Sequence, residues 1–468
     1  MKSKVSKLLV ICIFCVGQLA AQVTEKLQMD NDLKADTVNP EIMGDSYLKL
    51  WSPELQTRIN ENIDMNRKGE VTVDIIDHNG LPIEGAVLGV QQETHAFLFG
   101  CNAFVLGQLG SSIKNDQYEK IFTRIFNFAT VPVYWSATEP QRGKTRYSEG
   151  GEDIWRRPPA DRFIPFGKKY NLTLKAHPLL WHEHNPNWLP GNPDSLKVLY
   201  HNRFQQLSTR YAKDIDIWEV TNESIDCSKD YPLFSENRGY VDWAFKEAAP
   251  LFEDKNLMMI NDKTRFNELI PSENDYYKQV KELLEKGSPI EGIGFQFHLW
   301  FEPRLMEKYL AGERFQPQKM LEVYDEFSKF ELPLYITEIT VPTPEGKYGE
   351  AIRTEVIKNL YRLWFSVPSM AGITYWNLGD SMAYDKENAA SSGLVDENMN
   401  PKSSYYTLDE LINKEWKTNL NLKTDKKGEI QFRGFYGKYK FTITYNGKTL
   451  EKEAYIKKSG NNHFIIKV

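Results

Sequence analysis

From residue 95 onward one rhythm repeats along the chain: a short apolar or alternating run, then a longer stretch with apolar residues at helical spacing. The short runs fall at 95–104, 127–135, 172–181, 214–223, 255–262, 290–299, 332–340 and 370–378, and segments such as QYEKIFTRIFN, SLKVLYHNRFQQLSTRYAKD and GEAIRTEVIKNLYRLWFSV lie between them. Period-two runs of this length predict strands, and the i, i+3, i+4 stretches predict helices. Eight strands alternating with helices predict an α/β fold, a closed parallel TIM (β/α)8 barrel over 93–414, a span that fits the ~250 residues or more of such barrels with insertions. An open doubly wound sheet is the rival. It announces itself by a G-x-G-x-x-G phosphate loop after the first strand, and FGCNAFVLGQLG lacks that spacing.

The pattern changes outside the barrel. Residues 22–68 are polar and helical or irregular, and 69–92 read as two strands around the turn signal His78-Asn79-Gly80, so 22–92 is expected to be an N-terminal extension with a β-hairpin. Residues 415–468 alternate and are rich in turns, which predicts a small all-β appendage whose aromatics pack against the barrel. Lys2, Lys4 and Lys7, an apolar run from Leu8 to Val16 and then small residues before Gln22 give 1–21 the order of a secretory signal peptide. The apolar run is too short to span a bilayer. The expected destination is secreted, periplasmic or cell-surface.

Charge and cysteine content narrow the picture a little. Removing three lysines and no acids with the leader takes the formal charge from −6 to −9, which gives no reason to expect nucleic acid or an anionic membrane as partner. Cys101 and Cys227 would remain, either paired or as two buried free thiols. Aromatic residues make up 13 %, with 11 Trp and 24 Tyr, a composition suited to stacking against flat polar ligands. The expected partner is a polysaccharide or oligosaccharide, and the chain is expected to be a monomer without a cofactor.

The candidate chemistry lies at two strand ends. In DIDIWEVTNES, Asn222 and Glu223 stand where the fourth strand should stop, and in LYITEIT Glu338 closes the seventh. The C-terminal ends of barrel strands form the mouth, so both carboxyl groups are placed there and not in the core. One such glutamate alone reads as a solvated strand end. Two, rising from opposite sides of one mouth, are what glycosidic bond cleavage needs: one protonates the departing oxygen and the other attacks or activates water.

These stretches resemble glycoside hydrolase family 10, the retaining endo-β-1,4-xylanases. WEVTNE is similar to the acid/base motif and YITEI to the nucleophile motif. KAHPLLWHEHNPNWL, GIGFQFHL and GITYWNLGDSMAY are similar to the family's strand-three, strand-six and strand-eight stretches. The resemblance implies that Glu223 is acid then base and that Glu338 is the nucleophile. It also implies that Asn222 binds the 2-hydroxyl of the sugar being cleaved, and that His177, Trp181, Gln296 and His298 surround that sugar, with His298 holding the nucleophile. Trp376 and Tyr384 resemble an aromatic wall on the non-reducing side. In a retaining site the carboxyls lie about 5–5.5 Å apart, the acid needs a raised pKa and the nucleophile must be ionised.

The departures from the family pattern matter as much. Val131 and Tyr134 stand where an asparagine and a lysine are usual on strand two, Thr340 stands where an aspartate is common, and His184 replaces a glutamine. The cleft is therefore expected to have lost a cation and an amide and to have gained an aromatic face at Tyr134, for a decorated or otherwise non-standard xylan. Trp135 reads as core. The Asn222-Glu223-Ser224 sequon would block the mouth if glycosylated and reads as accidental. Two alternatives remain. One is a glycan-binding barrel without turnover. The other is a metal-dependent amidohydrolase using His182 and His184, although only eight histidines are present and the pair follows strand three.

Overall fold

The structure, a computed structural model, describes residues 42–263, 274–299 and 303–468; the expected signal peptide lies outside the described residues. The eight predicted runs become the parallel strands β3 (Leu98–Asn102), β4 (Phe128–Pro132), β5 (Thr173–His177) with its short continuation β6 (Leu180–Trp181), β7 (Ile217–Asn222), β8 (Leu257–Lys263), β9 (Gly292–His298), β10 (Leu334–Thr340) and β11 (Met370–Tyr375). Pairing runs β5-β4-β3-β11-β10-β9-β8-β7-β6, and β5 also pairs with β7, so the sheet closes on itself. Strands β4, β7 and β10 are buried at every residue, as expected where side chains fill the barrel on one face and helices cover the other.

Helix starts follow local chemistry. The helix Pro193–Tyr211 has proline in its first turn, and Asn192 accepts from the Ser195 N–H at 2.9 Å. In Ser112–Ile125 the Ser111 hydroxyl does the same for Lys114. Each such cap is worth ~1 kcal/mol.

The flanking segments correct the expectation of a hairpin and a separate appendage. β1 (Lys68–Ile76) and β2 (Val87–His95) are not partners. β1 lies between β13 (Glu429–Phe435) and β16 (His463–Lys467), while β2 lies between β12 (Asn419–Lys423) and β14 (Gly437–Tyr445), which in turn pairs with β15 (Lys448–Ile456). The turn at His78-Asn79-Gly80 is real. The Asp77 carboxylate accepts from the Asn79 and Leu81 N–H groups at 2.8 Å, and Gly80 supplies the positive φ of 85°. It carries the chain from one sheet to the other. Val71, Val73 and Ile75 alternate inward against Leu88, Val90, Phe441 and Ile443, so 68–95 and 419–467 together make one sandwich. Alternation predicts which face of a strand is buried but not which strand lies beside it.

Among the described residues, no helix is long and apolar enough to cross a membrane. Cys101 and Cys227 are both buried free thiols. Trp135 is buried against Tyr200 as a core residue, with ring centroids 4.6 Å apart.

Candidate active site

Both glutamates sit where the strand backbone departs from regularity. Glu223 follows the last residue of β7 with φ 52°, and its N–H still donates to the Asn261 carbonyl of β8 at 3.0 Å. A non-glycine residue in the left-handed region costs ~1–2 kcal/mol, and such strain collects at functional sites. Glu338 lies within β10, where the register against β9 shifts between Ile336 and Glu338 and the register against β11 shifts over the same stretch. Irregularities of this kind re-aim side chains at barrel rims.

One hydrogen-bonded chain joins the two carboxyls. The Gln296 amide nitrogen donates to Glu223 Oε1 at 3.0 Å and to Asn222 Oδ1 at 3.1 Å. Asn261 Nδ2 reaches Asn222 Oδ1 at 3.0 Å, Glu219 Oε1 at 3.2 Å and Glu338 Oε1 at 3.3 Å, while its own oxygen accepts from the Thr337 hydroxyl at 2.6 Å. The other Glu338 oxygen lies 3.2 Å from His298 Nε2, and His298 Nδ1 lies 2.8 Å from the Thr340 hydroxyl. Below this layer Glu219 is gripped by Lys175 at 2.7 Å and His177 Nδ1 at 2.8 Å, all three fully out of solvent. The structure thus brings together Asn222, Glu223, Gln296, His298 and Glu338, with His177 one step away.

Burial dominates the electrostatics. It lifts the Glu338 carboxyl to about 8; His177 and Lys175 oppose the rise, and Glu219 and Glu223 add to it. Burial also acts on Glu219, but His177 and Lys175 outweigh it and hold that carboxyl down at about 2. His298 is pushed down to about 4 by burial. A neutral His298 accepts from Thr340 O–H and donates Nε2–H to Glu338, a tautomer inferred from the network; it orients the carboxylate without adding charge. Glu223 has a cation instead: Lys263 Nζ lies 3.1 Å from its Oε2 and 3.3 Å from Asp226. Burial disfavours the Lys263 ammonium, but Glu223 and Asp226 more than compensate and raise its pKa. The expected nucleophile, Glu338, is thus a carboxyl that burial raises, where the expectation was an ionised one. The nearest hydrogen-bond donors of Glu338, Asn261 and a neutral His298, bring no charge to offset that push.

The other predicted residues form the rim. Tyr134 and Trp376 are buried and Trp181 is half-buried, clustered with Phe104; Tyr384 is exposed and donates to the Trp155 carbonyl at 2.7 Å. His184 packs on Tyr134 with centroids 4.9 Å apart. Two guanidinium groups stand at this rim: Arg157 lies 3.8 Å from the Tyr134 ring centroid, and Arg156 beside it donates to Asn377 at 2.9 Å. Sequence reading missed Arg156, Arg157, Lys175, Glu219, Asn261 and Lys263. The adjacent arginines before Pro158-Pro159 were the visible signal for the first two.

His182 and His184 build no ligand set. Among the described residues the one cluster with metal-ligand spacing is His177, Glu219 and Glu338, and the Lys175 ammonium and the His177 ring already satisfy Glu219 there. A cavity of about 780 Å³ lies at the opposite end of the barrel, between the strand starts and the sandwich, lined by Arg67, Phe97, Phe365, Met370, Phe435 and Tyr436. Its carboxyls, Asp325 and Glu331, lie on the helix Pro317–Ser328 and in the connection after it, not at the C-terminal ends of barrel strands. Its Arg67 donates to the Phe365 and Val367 carbonyls at a helix C-terminus, which accounts for the buried charge.

Comparison with known proteins agrees with this geometry. The chain is 26 % identical over 325 residues to endo-1,4-beta-xylanase B of Thermotoga neapolitana, covering 64 % of this chain and 85 % of that protein. It is also 26 % identical over 405 residues to the anti-sigma-I factor RsgI6 of Acetivibrio thermocellus, covering 85 % of this chain but only 47 % of that protein, so the chain spans about half of that relative's length. The crystal structure of native xylanase 10B from Thermotoga maritima superposes with a TM-score of 0.57 at 22 % identity, over 68 % of this chain and 96 % of that one, and so shares the fold. The description "Glycosyl hydrolase family 10" matches residues 96–411, the barrel and its mouth, and the chain belongs to that family.

Proposed function

We propose that the protein is an exported retaining glycoside hydrolase that cleaves β-1,4-linked xylan-type polysaccharide carrying side groups. The observation that carries this reading is the single network, Glu223–Gln296–Asn222–Asn261–Glu338, which ties two carboxyls to one mouth. In the first step Glu338 attacks the anomeric carbon while Glu223 gives its proton to the leaving oxygen. In the second, Glu223 takes a proton from water, which attacks the glycosyl ester and releases Glu338. Asn222 accepts both of its network bonds on Oδ1, which leaves its NH2 group to donate to the sugar 2-hydroxyl.

Lys263 is partly exposed, at 38 % for its side chain, so its ammonium can withdraw into solvent as a sugar enters. Export is supported by the leader-like order of 1–21, and a decorated substrate by the rebuilt strand-two subsite.

The reading is tested by following reducing ends released from xylan and the anomer of the first product by NMR. Retention supports the assigned roles; inversion contradicts them. A glycan-binding barrel without turnover remains the second reading, because one relative is named an anti-sigma factor and not a xylanase. Binding without any release of reducing ends would favour it.

A further inference from the structure

The loop between β4 and the helix Phe163–Tyr170 brings two adjacent arginines to the mouth. Arg156 is 3 % exposed and Arg157 is 7 % exposed. Burying one guanidinium requires compensation, and burying two side by side adds their mutual repulsion. Yet the one ion pair either makes among the described residues is Arg156 Nη1 with Glu387 at 3.8 Å, beyond hydrogen-bond reach. Among the described residues Arg156 Nε has no hydrogen-bond partner, and the one bond made by the Arg157 side chain is Nη1 to the Arg156 carbonyl at 2.8 Å. Their flat faces are occupied: Arg157 lies over Tyr134, and Arg156 lies 5.4 Å from Phe104 and 5.0 Å from Tyr384. Stacking satisfies the faces; Arg156 Nη2 donates to Asn377 at 2.9 Å, and Arg156 Nε together with the rest of the Arg157 edge forms the fork that grips an oxyanion.

The placement is held firmly. Arg146 ties the loop together through the Glu152 and Arg157 carbonyls, at 2.5 and 2.6 Å, and the Tyr384 hydroxyl binds the Trp155 carbonyl. Arg156 adopts φ 60°, a strained value that the surrounding bonds must maintain. The arginines also adjoin the reacting centre. Tyr134 under Arg157 is 5.2 Å from His177, and Trp376 lies 5.5 Å from His177 and 6.3 Å from His298, centroid to centroid.

We propose that the sugar bound against Tyr134, Trp376 and Tyr384 carries an anionic group, a carboxylate or a sulfate, and that this group docks on the N–H edges of Arg157 and Arg156. The proposal rests on the glycosidase reading and names the chemistry of the side group that reading requires.

The test compares kcat/KM for a glucuronate-bearing xylo-oligosaccharide, the same compound with its carboxyl reduced to the alcohol, and a sulfated analogue. The wild-type protein prefers an anionic compound over the reduced one by about tenfold or more, as a charge-assisted bond implies. Added salt narrows the ratio. Which anion is preferred identifies the group. The ratio falls toward one in Arg157→Gln and is largely kept in Arg157→Lys; if the glutamine variant does not fold, the wild-type ratio and its salt dependence decide alone. Equal rates on the acidic and reduced compounds overturn the proposal and leave the glycosidase reading standing. If no compound and no activated aryl xyloside is cleaved, both fall together.

Discussion

The two walls of the barrel mouth are furnished from different sources. On the wall of β7 to β10, Asn222, Asn261, Gln296 and His298 stand on strands and hold both glutamates through neutral hydrogen bonds. On the wall of β4, Val131 is core, Tyr134 is an aromatic floor, and the polar groups come from a loop, as Arg156 and Arg157 stacked on that floor. Strand ends are fixed by the closed sheet, so the bond-breaking apparatus tolerates little movement. A loop can exchange one cation for another without disturbing the barrel. The difference separates the carboxyls proposed to break the bond from the arginines proposed to select the sugar.

The largest expected effect comes from removing the proposed nucleophile. Glu338→Gln should lower turnover by on the order of 10⁴-fold or more while sugar binding persists, measured by product release and calorimetry. Glu223→Ala should cost about 10²–10⁴-fold on polysaccharide, yet leave the first step on aryl glycosides with good leaving groups near wild type. A burst of phenol followed by slow turnover is the signature to look for. If both variants lose the two substrate classes equally, the two glutamates do not divide the work as described.

The pH profile sharpens the comparison within the strand-borne wall. Glu338 must be ionised to attack, and burial raises it to about 8, so kcat/KM should climb with pH toward that value. Thr340→Asp would place a carboxylate beside His298, favour the imidazolium and, through its charge, the Glu338 anion; the rising limb should move to lower pH. An unchanged limb would mean that His298 does not carry charge to Glu338.

A smaller effect is expected on stability. The Glu338 carboxyl is raised from an unfolded value of about 4.3, so the folded state holds its proton more tightly and stability falls as pH rises through the folded pKa of about 8. Glu338→Gln escapes that loss. Its Tm should exceed that of the wild-type protein by about 2–4 °C more at pH 9 than at pH 5, read by thermal unfolding.

The same division explains what the sequence made legible. Barrel strands announce themselves as buried runs, and a carboxylate at the end of one is visible because nothing in a core calls for it; hence Glu223 and Glu338, and through the motif resemblance His298 and Gln296. Lys175 and Glu219 were hidden because each looks like an ordinary charged residue in an alternating run, and only the closed sheet brings them within 2.7 Å. Tyr134 read as the loss of a cation, because the replacement lies in an irregular loop whose path no periodicity predicts. The pairing of β1 with β13 across most of the chain was hidden for a related reason: neighbouring strands of one sheet are separated along the chain by an inserted barrel.

Glu223 and Glu338 are proposed to serve one anomeric centre, with a Glu338 carboxylate oxygen supplying the electron pair that forms the glycosyl ester. This assignment is tested most directly by incubating the protein with a 2-deoxy-2-fluoro xyloside bearing a good leaving group and mapping the trapped ester by mass spectrometry. A stoichiometric adduct on Glu338, absent from Glu338→Gln, is the predicted result. An adduct on another side chain, or steady hydrolysis with an inverted product and no adduct, would contradict it.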